Sequence, residues 1–101
     1  MFIARWQIDA RFGQKQKVID ALTKWVRDIA PQVGLTKGSL LSGSIGALEA
    51  TIEHNWEVAS LAELESAWAK LGKIEAHKQW SKDLEPHVVS GTARWSIFRV
   101  V

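Results

Sequence analysis

The order of hydrophobic periodicities along the chain predicts an α+β domain with the plan β-α-β-β-α-β. Three observations carry this. Apolar residues alternate at both ends of the chain, an apolar rhythm of three and four residues follows Gly13 and again Ser60, and two glycines, Gly43 and Gly46, stand between two further alternating segments.

Taken in order, residues 1–8 place Phe2, Ala4, Trp6 and Ile8 on one parity and Ile3, Arg5 and Gln7 on the other, as a strand requires. Past Gly13 the apolar positions become Val18, Leu22, Trp25, Val26 and Ile29, a helical stripe that Pro31 and Gly34 close after some 15 to 18 residues. Leu35 to Ser42 and Ala50 to Val58 read as two strands, joined by a hairpin turn at Gly43-Ser44-Ile45-Gly46. Ser60 and Glu63 form an S-x-x-E capping box, so the second helix starts at Ser60, with Leu61, Leu64, Trp68 and Leu71 as its stripe. Gly72 breaks the phase. The stripe resumes at Ala76, Trp80 and Leu84 before Pro86, which predicts a kink or restart near Gly72. In the final strand, Thr92 to Val101, Ala93, Trp95 and Ile97 alternate with Arg94, Ser96 and Phe98.

The size of the chain, 101 residues and 11.3 kDa, suits one domain spanning 1–101 and leaves no room for a second core. With 47% hydrophobic and 24% charged residues it lies far from the composition of disordered chains. There is no cysteine, which excludes disulfides, thiolate chemistry and Cys-containing zinc sites and makes the cytoplasm the expected location. A net charge of +2, spread along the chain, names no partner. Lys15, Lys17, Lys24 and Arg27 are diluted by Asp20 and Asp28, so nucleic acid is not expected. No apolar run reaches the length of a membrane helix, and no membrane association is expected.

The right-handed crossover rule turns this order into the ferredoxin-like split βαβ sheet, four antiparallel strands with two helices on one face. The other face must hold Ile3, Phe98 and Val100, too much apolar surface for a wet sheet. A second copy packed sheet to sheet would cover it, and the predicted assembly is therefore a homodimer enclosing a barrel. Parity sends Arg5, Gln7, Glu53, Asn55, Glu57, Arg94 and Ser96 into that barrel. Two roles are open to them. The arginines can neutralise Glu53 and Glu57, because an unpaired buried charge is costly. Alternatively Arg5, Gln7, Glu53, Asn55 and Arg94 form a ligand-binding set, an arginine holding an anionic or enolic oxygen of a small organic molecule while the amides orient it.

Six tryptophans are expected to be mostly core, with one or two at a cavity where the indole N–H finds an acceptor. His54, His77 and His87 show no metal-ligand spacing, and no metal site is expected. His54 shares parity with Ile52 and Trp56, placing it under a helix or near the sheet edge. No glycine-rich nucleotide motif, nucleophile elbow or paired carboxylates appear.

Trp56-Glu57-Val58 closing a strand, Ser60-Leu61-Ala62-Glu63-Leu64 opening a helix, Trp80, and the closing strand Arg94 to Val101 together resemble the dimeric α+β barrel superfamily. NIPSNAP-like proteins, antibiotic-biosynthesis monooxygenases and stress-responsive barrel proteins belong to it, and the NIPSNAP-like members look closest. The resemblance covers nearly the whole chain and implies a small-molecule-binding dimer. It leaves open cofactor-independent monooxygenation, a non-enzymatic structural or stress-related role, and heme binding or degradation. For the last, Gln7, Trp68 and His77 fall where heme-degrading members carry an asparagine, a tryptophan and the axial histidine. No cofactor is otherwise expected; in the heme-degrading case the resemblance implies heme, with His77 as its axial ligand and Trp68 pressing on the macrocycle.

Overall fold

The computed structural model describes residues 1–101 and contains one helix more than the two expected. Strand β1 spans Phe2–Asp9, helix α1 Lys15–Asp28, strand β2 Gly38–Ser42, strand β3 Thr51–Val58, helix α2 Leu61–Leu71, helix α3 Glu75–Leu84 and strand β4 Arg94–Arg99. The sheet order is β2-β3-β1-β4 and every neighbouring pair is antiparallel, the ferredoxin-like arrangement.

The expected strand parity is observed. Ala4 faces Trp56 and Ile97, Trp6 faces His54 and Trp95, and Ile8 faces Ile52, so one parity of each strand lies beneath the helices. Val18, Leu22 and Trp25 of α1, Leu64 and Ala67 of α2 and Leu84 of α3 are buried against that face. The core has two lobes. One gathers Ala4, Trp25, Trp56, Val58 and Leu64, the other Ile8, Val18, Leu22, Ile52 and Leu84, and Trp80 packs against both.

Sequence punctuation explains most boundaries. Gly13 takes a positive φ of 81° just before α1, and α1 stops where Pro31 opens a 3-10 turn that Gly34 closes in the left-handed region. Ser60 caps α2 by accepting from the Glu63 amide at 3.2 Å. Glu63 reaches back to the Ala59 amide at 2.8 Å, one residue earlier than a capping box prescribes.

Several boundaries differ from the sequence reading. The break expected near Gly72 is a full restart and not a kink: α2 ends at Leu71, and Ile74 is extended, with φ −97° and ψ 111°, before α3 begins. Glycine has little helical preference, and the β-branched Ile74 accepts an extended backbone readily. β2 starts at Gly38, and the preceding Leu35 is instead buried in the connection. The link between β2 and β3 runs over residues 43–50 and is not a four-residue turn. β4 is confined to Arg94–Arg99. Leu61, expected on the buried stripe of α2, is half exposed, and Ala67 is buried in its place. No helix is long and apolar enough to cross a membrane.

Candidate functional site

A cleft of about 260 Å³ opens between the helix-covered face of the sheet and the three helices. All six tryptophans line it: Trp6 and Trp95 from neighbouring strands, Trp56 from β3, Trp25 from α1, Trp68 from α2 and Trp80 from α3. His54, His77 and Ser81 are its polar residues, and no lysine, arginine, aspartate or glutamate lines it. The expectation that most tryptophans are core is thus corrected. Trp25 and Trp56 are buried, whereas Trp68 and Trp95 are 38% and 40% exposed and meet edge to face with ring centroids 5.3 Å apart.

Trp25 is the hub. Its ring lies 5.7 Å from His54, 5.9 Å from Trp56, 6.1 Å from His77 and 6.2 Å from Trp80, centroid to centroid. Edge-to-face and tilted contacts of this kind suit the charge distribution of aromatic rings. Two indoles have their N–H groups bound within the chain: Trp80 donates to the Ala21 carbonyl at 2.7 Å and Trp25 to His77 Nδ1 at 3.0 Å. His77 also stacks on Trp80, the planes 16° apart. The break between α2 and α3 places Trp68 and His77 on separate helices.

His54 is different. It is 3% exposed, pairs in register with Trp6 and Leu40, and lies against the Trp56 ring at 4.4 Å. The other two histidines have partners, His77 with Trp25 and His87 with Gln14, but neither ring nitrogen of His54 has one. Burial pushes its pKa down to about 4, and the same cause lowers that of His77. Both imidazoles are neutral at physiological pH.

The residues nominated on the opposite face stand together there. Arg5 Nε donates to Glu53 Oε1 at 2.6 Å, and its guanidinium lies 5.3 Å from the centre of the Phe98 ring. Asn55 faces Arg5 in register, and Gln7 is flanked by Glu53 and Arg94. Asn55 Oδ1 is enclosed and accepts no hydrogen bond. None of these five residues lines the cleft. Trp68 and His77 do, and sequence reasoning missed Trp6, Trp25, Trp56, Trp80 and Trp95 as its other walls. Their shared parity under the helices was the available signal.

Heme iron needs a ring-nitrogen lone pair from its axial histidine. An indole N–H can only donate, so His77 Nδ1 accepts from Trp25 and Nε2 carries the proton. Gln7, the third residue of the heme comparison, is on the other side of the sheet. This donor set does not fit heme ligation.

No protein-family model matches the sequence, and no curated protein matches it. Among solved structures the chain is similar to a NIPSNAP family protein from Agrobacterium tumefaciens, with TM-score 0.83, 18% identity, and 99% of this chain and 85% of that one covered. An uncharacterized NIPSNAP-like domain protein from Burkholderia xenovorans gives TM-score 0.81 at 16% identity, covering 99% and 84%. A candidate antibiotic biosynthesis monooxygenase from Deinococcus radiodurans gives 0.72 at 10% identity, covering 100% and 93%. The chain has the fold these proteins share.

Proposed function

We propose that this protein binds a small, planar aromatic molecule in the tryptophan-lined cleft, as one subunit of a homodimer. The observation that carries the reading is the convergence of all six tryptophans, from five secondary-structure elements and the β4 edge, on one opening. A core alone has no need to gather them around open space, whereas aromatic walls hold a flat guest by stacking. The volume of about 260 Å³ suits one or two fused rings.

The homodimer is supported by the uncovered sheet face. Phe98, Leu41 and Val100 are 51%, 46% and 44% exposed, and Asn55 Oδ1 lacks a donor that a facing sheet could supply. The surface of 6513 Å² also exceeds the roughly 5,700 Å² usual for a folded monomer of this mass.

The lining suits recognition better than proton abstraction. Its histidines have depressed pKa values, and no carboxylate is present to act as a base near neutral pH. A second function, oxygenation of the bound ring, is favoured by the likeness to a candidate antibiotic biosynthesis monooxygenase. Native mass spectrometry of the purified protein tests the proposal. A dimer retaining an aromatic metabolite is expected, and oxygen uptake on adding that compound would separate turnover from binding. A bare monomer that takes up no aromatic compound would refute both halves.

A further inference from the structure

Resting on the aromatic-cleft reading, we infer that His54 is the residue that selects the guest, accepting only an uncharged molecule that carries a hydrogen-bonding group. Three observations on separate grounds lead there.

First, His54 is a polar side chain 97% withdrawn from solvent, since its exposure is 3%, and it lacks a hydrogen-bonding partner within the chain. A neutral imidazole offers one N–H donor and one lone-pair acceptor. Asn55 Oδ1 is the one enclosed side-chain polar atom without a partner, so the His54 nitrogens keep access to the open space that the ring borders, where a water or a guest can bond them. The open space it borders is the cleft, with a second hollow beside Thr23, Val26 and Arg27.

Second, the neighbouring Trp56 has the same need. It is 2% exposed, two residues along β3, and its indole N–H also has no acceptor in the chain. The two rings are 4.4 Å apart. One strand thus brings two polar groups without partners in the chain to a cleft whose other polar residues are His77 and Ser81.

Third, the cleft has no countercharge. No ionic side chain lines it, and burial keeps His54 uncharged. A carboxylate or ammonium entering here would lose its hydration without compensation. Packing alone does not call for a histidine, because an apolar ring of similar shape would fill the site without the cost of withdrawing an imidazole from water. A residue that costs stability in this way is expected where function needs it.

Calorimetric titration with naphthalene, 2-naphthol and 2-naphthoate tests the inference, since the three share a ring system and differ in one substituent. The native protein is expected to bind 2-naphthol about tenfold more tightly than naphthalene, the effect of one good hydrogen bond, and 2-naphthoate more weakly than either. In His54→Phe the preference for 2-naphthol over naphthalene disappears while naphthalene affinity stays, and His54→Gln keeps part of it. Equal binding of 2-naphthol and naphthalene by the native protein would overturn the role of His54 and leave the aromatic cleft standing, and this comparison needs no variant to fold. Retention of the full preference in folded His54→Phe would also overturn it. Failure of all three to bind would remove the cleft reading and this inference together.

Discussion

The indole N–H of Trp25 donates to Nδ1 of His77 across 3.0 Å, joining α1 to α3 over the floor of the cleft. Because the indole can only donate, the bond fixes the tautomer of His77 and turns its protonated nitrogen, Nε2, away from Trp25. Trp25→Phe removes this bond at a buried position and should destabilise the fold by about 1–3 kcal/mol. Burial is what lowers the His77 pKa, so loss of the bond alone should leave that titration below the ordinary histidine value. Urea unfolding and NMR titration of the imidazole check both effects. A His77 pKa restored to the ordinary value in the folded variant would show that the bond, and not burial, sets its protonation.

Stability should fall in mild acid. His54 has a folded-state pKa of about 4 against 6.5 when unfolded, so between these values the unfolded chain binds a proton that the folded chain refuses. Its contribution is fully present above pH 6.5, declines as the pH falls toward 4, and amounts to about 3 kcal/mol in all. His77 adds a loss of the same sign. Chemical denaturation at a series of pH values should show this slope, and His54→Phe should flatten it. A variant as acid-sensitive as the native protein would contradict the assignment.

Gly38 bears on the cleft from behind. It pairs with Trp56 across the β2–β3 ladder, and a Cβ there would lie 2.3 Å from the Asn55 carbonyl oxygen and 2.7 Å from the Trp56 ring. Backbone on one side and a packed indole on the other leave little room to yield. Gly38→Ala should therefore cost about 1–3 kcal/mol and shift the Trp56 ring, visible as a lower melting temperature and altered near-ultraviolet circular dichroism. Unchanged values of both would show that β2 is free to move away.

The uncovered face predicts its own outcome. Phe98 pairs with Ile3 and carries the Arg5 guanidinium over its ring, so Phe98→Asp places a charge on the surface proposed to join two copies. Light scattering should then report a monomer where the native protein gives a dimer. A native monomer would dispose of the sheet-to-sheet assembly.

Strand parity, the S-x-x-E cap and the weakness at Gly72 were legible in the sequence because each depends on residues close together in the chain. Parity also placed Arg5, Gln7, Glu53, Asn55 and Arg94 on one face, where Arg5 and Glu53 do pair. The cleft was less legible. Trp25, Trp56 and Trp80 occupy apolar positions that packing alone would explain, and whether an indole fills a core or walls an opening depends on the separation of helices and sheet. The break after Leu71 puts Trp68 and Trp80 on separate helices, and how far each stands from the sheet is set by contacts distant in the chain. His54 showed only that it pointed beneath the helices. That its ring lacks a partner there depends on every element around it.

The most direct test follows the six indole N–H signals of the amide–proton correlation spectrum, one for each tryptophan, during titration with 2-naphthol. The cleft account predicts that the signals of Trp6, Trp25, Trp56, Trp68, Trp80 and Trp95 shift together, while the side-chain signals of Arg5 and Asn55 across the sheet stay in place. Movement of the Arg5 and Asn55 signals with the indoles unmoved would contradict it and put the ligand on the opposite face.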